Sequence, residues 1–375
     1  MQNPRFTFCI PNLNKIKYLP ACIESVLAQD CKDWCCVFVD GYSTDGSWEY
    51  MQQFASDPRF LLLQGLKQGM YADWNECLHH VNTEYFYFLT SDDTCFSELV
   101  STTINALDAY PTVDVCHFQF CLINEVGETI QSFEEMTRQQ CDLYSEVNHY
   151  PHLRSGLCEF MMHFVYRAIY TTITSLVFRR NMIDHLKGFK TTCGVIADYD
   201  WTMRLGLFTD VLYIPKLLAT WRIYAEQATR GSKRLENQAQ LLAIAQDNLN
   251  DFASTKLLQK LKRPIHSNQV LADFRDHHAS AVYEQLFTVE TITDIQKNLF
   301  LSATSYPFYG VKKVLNRLSF NTIYCYPDRL ELAQTRIHQY GLQWPPLQIS
   351  TSSHAQRLYP CSDFSGLPKV KYIPQ

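Results

Sequence analysis

Phe86-Tyr87-Phe88-Leu89-Thr90-Ser91-Asp92-Asp93 is the stretch whose reading decides the fold of this chain. An apolar run able to cross a buried sheet stops abruptly at two adjacent carboxylates. A single aspartate at such a strand end is convenient for starting a loop. Two in a row repel each other and lose hydration if partly buried, so they require a cation, a hydrogen-bonded ligand or open solvent.

Upstream, the pattern repeats three times. Phe6 to Ile10 reads as a strand that ends at Pro11-Asn12-Leu13-Asn14, and Ile16, Leu19, Ile23, Val26 and Leu27 then mark one helix face, with Pro20 in its first turn. A second strand runs up to Asp40, and Gly41-Tyr42-Ser43-Thr44-Asp45-Gly46-Ser47 forms a turn into a helix carrying Trp48, Met51 and Phe54. Phe60 to Leu63 is a third strand. Gly65 and Gly69 flank a loop into a helix with Trp74, Leu78 and Val81. The order is βαβαβαβ in fewer than 95 residues, the signature of an open, mostly parallel sheet covered by helices. Parallel strands end at one edge, where ligands bind. Pro11, Asp40, the glycine-flanked loop and Asp92-Asp93 are therefore expected around one pocket.

Further along, Ser97 is expected to cap a helix through Leu107, and Val113 to Ile123 forms a long strand or a strand pair. Residues 131 to 165 have no clear assignment. Ile173 to Phe178 is a strand, and Leu212 to Ile214 and Leu217 to Ile223 read as two short strands joined by Pro215-Lys216. After about residue 235 the pattern turns helical, through Leu241 to Phe252, Leu257 to Leu261, Val282 to Phe287, Ile292 to Leu301 and Leu330 to Ile337, with an irregular tail from Trp344. This divides the chain into an α/β domain over 1–235, with halves 1–105 and 106–235, and a separate helical region over 236–375.

Composition narrows the function. The 375 residues are 46% hydrophobic and 19% charged, enough for a substantial core, and a net charge of -5 argues against a protein that coats nucleic acid. Several of the 14 cysteines sit inside apolar runs, which fits a reduced, cytoplasmic setting better than a disulfide scaffold. The start reads as a strand and not a signal peptide, and no 18-residue apolar stretch offers a membrane span. Basic groups at Lys256, Lys260, Lys262 and Arg263, and at Lys312, Lys313 and Arg317, are solvated faces or, alternatively, a peripheral contact with an anionic bilayer. There is no Walker loop, no zinc-finger spacing and no Gly-x-Gly-x-x-Gly.

Four blocks now carry a resemblance. Pro11-Asn12 with its helix, Asp40 to Ser47, Gly69-Met70-Tyr71-Ala72-Asp73-Trp74-Asn75 and Thr90 to Asp93 resemble the family 2 inverting glycosyltransferases, and Ala197-Asp198-Tyr199-Asp200-Trp201 matches a later family block. The resemblance covers roughly residues 5 to 230. It implies a GT-A fold, an α/β/α sandwich of Rossmann-like type, that moves a hexosyl or N-acetylhexosaminyl group from a nucleotide-sugar donor, of the UDP type, to a hydroxyl on a glycan or glycolipid acceptor in bacterial polysaccharide or surface-glycan synthesis.

The resemblance also assigns roles. Asp93 would hold Mg²⁺ or Mn²⁺ and Asp92 would contact the donor's ribose or bound water. Asp40 would accept a hydrogen bond from the base, or else cap the helix after Gly41. Pro11 would shape the base pocket, and Asp45 divides between a turn role and ligand contact. Asp73 would contact the donor; relatives carry the acidic residue directly after the tyrosine, whereas here Ala72 stands there and Asp73 follows, which turns the side chain by about 100° on a helix. Asp198 would be the general base, with helix capping as the alternative, and Asp200 a structural or acceptor-facing residue. Arg222 would pair with diphosphate oxygens or serve as an ordinary salt-bridge residue. Tyr224 stands where many members place a metal-binding histidine. Two other readings stay open, a nucleotidyltransferase and a non-catalytic carbohydrate-binding protein.

Overall fold

The computed structural model describes residues 4–132, 144, 148–166, 168–225, 227, 234–255, 265–275, 329–342 and 347–348. The basic groups near residues 260 and 315, the helices expected between 256 and 264 and between 276 and 328, and most of the tail lie outside the described residues.

One mixed sheet organises the chain. Strands β1 (Phe6–Asn12), β2 (Trp34–Asp40), β3 (Phe60–Gln64) and β4 (Tyr85–Phe88) alternate with helices α1 (Leu19–Leu27), α2 (Ser47–Gln52) and α3 (Met70–His79). Helix α4 (Leu99–Ala109) then leads to β5 (Val115–Ile123), β6 (Thr129–Gln131), β7 (His152–Arg154), α5 (Gly156–Val165), β8 (Leu176–Arg179), α6 (Asn181–Leu186), α7 (Ala197–Leu205) and β9 (Val211–Arg222). Helices α8 (Arg234–Ser254) and α9 (Arg329–Gln339) and the short β10 (Leu347–Gln348) follow. The strand order is β10-β7-β9-β5-β8-β4-β1-β2-β3, with β6 paired to β5. The first four strands are parallel, as their order in sequence predicts, and β8 enters antiparallel between β4 and β5.

Both faces of the sheet are covered, which explains why β4 is apolar throughout. Tyr85, Tyr87 and Leu89 join one core with Phe6, Phe8, Ile10 and the α1 and α4 side chains. Phe86 and Phe88 point the other way, into a core with Trp74, Phe178 and Trp201. The period of two assigns alternate residues to opposite layers. Ile244, Leu249 and Phe252 of α8 and Ala333 and Ile337 of α9 belong to that second core. The described helices after residue 234 are thus joined to the α/β domain through a common interior.

Three local expectations change. The segment around Pro215-Lys216 does not separate two strands. It is a bulge in the single strand β9, where Phe118 pairs with Ile214 and Gln119 with Leu217. Ser97 does not cap α4: Glu98 holds the N-cap position, and no side chain caps the helix. Within 131–165 the described residues include β7 and α5, the latter capped by Ser155 through the N–H of Cys158.

Candidate active site

The acidic pair sits in a turn just past β4, closed by the Asp93 N–H donating to the Thr90 carbonyl at 2.9 Å. Strand β9 runs back beside it, where the Thr220 N–H donates to the Thr94 carbonyl at 2.9 Å. That return brings Arg222 and Tyr224 to the pair.

The two aspartates have different environments. Asp93 is 1% exposed. One of its oxygens accepts the Arg222 backbone N–H at 2.7 Å, and the other accepts the hydroxyls of Thr90 at 2.6 Å and Thr174 at 3.2 Å. Burial, then the charge of Asp92, pushes its carboxyl up to about 8. Asp92 is the carboxylate that reaches the surface of the site. It accepts the Tyr224 hydroxyl at 2.5 Å, and the Lys15 ammonium lies 3.8 Å away as an ion pair. Lys15 in turn donates to the Tyr224 oxygen and lies 4.8 Å from the centre of that ring. Burial, then Asp92, pushes the Tyr224 phenol far up, so it remains a neutral donor.

Asp93, expected to hold the metal, is enclosed in this structure. Asp93 has both oxygens taken by internal donors and no open face. Tyr224 stays protonated, and among the described residues no three His, Cys, Asp or Glu side chains converge to hold an ion. The residues do not fit a preformed divalent site on Asp93. Mg²⁺ or Mn²⁺ would find one accessible carboxylate in this turn, Asp92, already paired with Lys15.

Arg222, expected to pair with diphosphate oxygens or to serve as a salt-bridge residue, is held by the backbone around the turn. Its guanidinium donates to the carbonyls of Asp92 at 2.7 Å, Asn124 at 2.9 Å and Glu125 at 3.1 Å, and lies 4.9 Å from the Tyr18 ring. It is 4% exposed and clamps the acidic turn to the β5–β6 hairpin, so it does not present a free cation to a diphosphate.

The second cluster is the pair of loops after β1 and β2. Asp40 is fully buried. One oxygen accepts from Asn12 Nδ2 at 2.8 Å and Ser43 Oγ at 2.7 Å, and the other from the Ser43 N–H at 2.8 Å. Asp40 therefore organises its own turn and has no surface for a base. Asp45 takes the turn role, accepting the Ser47 hydroxyl at 2.6 Å, the Ser47 N–H at 3.0 Å and the Ile16 N–H at 2.9 Å. Against the push of burial, these bonds hold its carboxyl below the usual range. Pro11 is buried in β1 opposite Val39. Asp73 does not reach the surface of the site either. The shift past Ala72 turns it inward, where a Cβ on Gly65 would stand 1.9 Å from its Oδ1 and one on Gly41 2.9 Å from its Oδ2. Burial, then Asp40's charge, raises the Asp73 carboxyl to about 6.

The third cluster joins blocks far apart in sequence. Asp198 lies in the first turn of α7, after a 3-10 segment kinked at Gly194, whose φ is 57°. Its Oδ1 accepts the Tyr71 hydroxyl at 2.8 Å and its neighbour's N–H, that of Tyr199, at 2.9 Å. It is not the N-cap, which is Ile196. Burial raises its carboxyl, and the Tyr71 and Tyr199 donors oppose that rise. Below it Tyr71 stacks on Phe189, Phe189 on Trp201, and Trp74 on Phe88. Asp200 faces inward, fully buried, paired with Arg204 at 2.8 Å and Lys190 at 3.2 Å.

Lys15 is the residue that sequence reading missed. A lone lysine in a polar loop carries no signal, and only the return of β9, some 200 residues later, places Tyr224 and Asp92 beside it.

A twisted parallel half-sheet with carboxylates at its C-terminal edge and a second acidic helix start facing the same loops defines a nucleotide-sugar type of fold. Residues 7–170 match the model of glycosyl transferase family 2. That stretch is similar to the family, and the described residues carry a GT-A fold. The Staphylococcus aureus TarS fragment 1–349, solved with UDP-GlcNAc, superposes with a TM-score of 0.59 over 90% of this chain and 89% of that one, at 16% identity. A PGL/p-HBAD biosynthesis glycosyltransferase of Mycobacterium bovis is 34% identical over 98 residues, 26% of this chain. A Campylobacter jejuni GalNAc(5)-diNAcBac-PP-undecaprenol beta-1,3-glucosyltransferase is 29% identical over 134 residues, 35% of this chain. The matched stretches span 38% and 42% of the length of those two relatives. Among the described residues no helix is long and apolar enough to cross a membrane.

Proposed function

We propose that the chain is an inverting glycosyltransferase that moves a sugar from a nucleotide-diphosphate donor, of the UDP type, to a hydroxyl of a glycan or lipid-linked acceptor in bacterial surface-glycan synthesis, working on the cytoplasmic side. The observation that carries this reading is the Tyr71–Asp198 hydrogen bond. It holds a partly exposed carboxylate at the same loop edge as the acidic turn. In the reaction, the acceptor oxygen forms a bond to the anomeric carbon while the bond from that carbon to the diphosphate breaks. The acceptor proton passes to Asp198, and the nucleoside diphosphate leaves from the opposite face. Tyr71 orients the carboxylate and stabilises its charged form. Asp92 faces the departing group, held by the Tyr224 hydroxyl and Lys15.

The test is a nucleotide-sugar panel read for both binding and transfer. Asp198→Asn is expected to bind the donor as the parent does and to lose about 10²- to 10⁴-fold in turnover. Turnover near that of the parent sinks the assignment of the base.

A further inference from the structure

We infer that Lys15 is a resident cation of the donor site, contacting the diphosphate of a nucleoside diphosphate without needing a divalent ion to mediate the contact. The inference rests on the glycosyltransferase reading and adds a residue to it. Three observations carry it.

The loop holding Lys15 is fixed before any ligand arrives. The Asn14 N–H donates to Ser43 Oγ at 2.8 Å, the Lys15 N–H to Ser47 Oγ at 3.2 Å and the Ile16 N–H to Asp45 at 2.9 Å. Asn14 adopts φ 51°, turning the chain so that Lys15 faces β9. The Lys15 carbonyl accepts the N–H groups of Tyr18 and Leu19 at 2.9 and 2.8 Å, which anchors it to the start of α1.

The ammonium is held in one place but not sealed off. Its side chain is 23% exposed and that of Asp92 14%. Tyr224 supplies one acceptor and Asp92 an ion-pair partner at 3.8 Å, beyond hydrogen-bond reach. An ammonium carries three donors, so at least one is left for a phosphate oxygen.

Among the described residues, the neighbouring cations are engaged elsewhere: the Arg222 guanidinium is held by backbone carbonyls and the Lys17 ammonium by Glu125 at 2.5 Å. Asp93 is enclosed and Asp92 is neutralised by Lys15. The turn therefore offers an incoming diphosphate the Lys15 ammonium as its exposed positive group.

The experiment is calorimetric binding of uridine, UMP and UDP in excess chelator to the full chain and to Lys15→Met, Lys15→Arg and Tyr224→Phe. For the parent, UDP is expected to bind about 30-fold more tightly than uridine, the range of a charge-assisted contact. Lys15→Met is expected to bring UDP close to uridine while leaving uridine affinity unchanged, which also reports that the base pocket has folded. Lys15→Arg is expected to retain most of the preference, and Tyr224→Phe to lose an intermediate share. Equal affinities for UDP and uridine in the parent overturn the inference. So does a Lys15→Met protein that binds UDP within threefold of the parent, or a preference that appears only on adding Mn²⁺. In each of those outcomes uridine still binds, so the glycosyltransferase reading stands. If no nucleoside or nucleoside diphosphate binds the parent with or without Mn²⁺, the reading itself fails and the inference falls with it.

Discussion

Replacing Arg222 by alanine separates two roles for this side chain, and the structure assigns a size to the effect. As a clamp, the guanidinium satisfies the carbonyls of Asp92, Asn124 and Glu125 and lies over Tyr18. A buried acceptor left unmade costs about 1–3 kcal/mol, whereas one that water can reach costs little. Asp92 and Asn124 are both half-buried and share most of that penalty, while Glu125 is exposed. The ring contact adds about 0.5–1 kcal/mol. The expected loss of stability is about 3 kcal/mol, roughly a factor of 100 in the folding equilibrium. Denaturant unfolding of Arg222→Ala and Arg222→Lys measures it. Lysine is expected to recover only part, because one ammonium cannot span carbonyls on both sides of the clamp. At a temperature where both variants are folded, UDP affinity should stay within about threefold of the parent. An Arg222→Ala protein as stable as the parent that binds UDP more than 30-fold less tightly refutes the clamp and restores the diphosphate role.

Other outcomes follow from the same geometry. Tyr71→Phe removes a donor that favours ionised Asp198, so the acid limb of the turnover–pH profile moves upward and turnover at neutral pH falls by roughly 10-fold, while donor binding is unchanged. Asp93, raised from 3.8 to about 8, contributes stability that is full below about pH 4 and is lost as pH rises through about 8. Asp93→Asn, which can keep the Arg222 N–H as donor and reverse the threonine bonds, is expected to flatten that dependence in unfolding measured from pH 4 to 9. Gly65→Ala places a Cβ against Asp73 and is expected to destabilise by about 2 kcal/mol. The cost should largely vanish in an Asp73→Ala background, and a double-mutant cycle with no coupling contradicts that contact.

The parts of this molecule that were legible in sequence are those set by local periodicity. The alternation of Phe86 and Phe88 against Tyr85 and Tyr87 places β4 between two apolar layers, and the spacing of four strand ends predicts one loop edge. What was not legible depends on partners distant in the chain. Which of Asp92 and Asp93 turns inward is decided by the Arg222 N–H and the Thr174 hydroxyl, both supplied after the intervening strands. Arg222 has the residue type of a ligand contact, yet two of the carbonyls that engage it belong to a hairpin no local pattern specifies, whereas Asp40's bonds to Ser43 are local and fit the capping alternative. Pro215 reads as a break because a proline cannot donate to a ladder, but a bulge accommodates it and β9 continues to Arg222. Asp73 was expected to contact the donor, and its inward turn depends on the close approach of Gly65 and Gly41, which the displacement past Ala72 does not by itself specify.

The aromatic stack under Asp198 also bears on acceptor choice. Tyr71, Phe189, Trp201, Trp74 and Phe88 pass contact from the glycine-flanked loop to the middle of the sheet, with ring centroids 4.8 to 5.5 Å apart. A carboxylate mounted on such a platform cannot follow its substrate. On the proposed role of Asp198 as base, the acceptor hydroxyl must be delivered to a fixed point in space, and regiochemistry would be set by the reach of the acceptor-binding segments and not by the reactivity of individual hydroxyls. Exchanging those segments between relatives should redirect the linkage while the chemical step stays as it was.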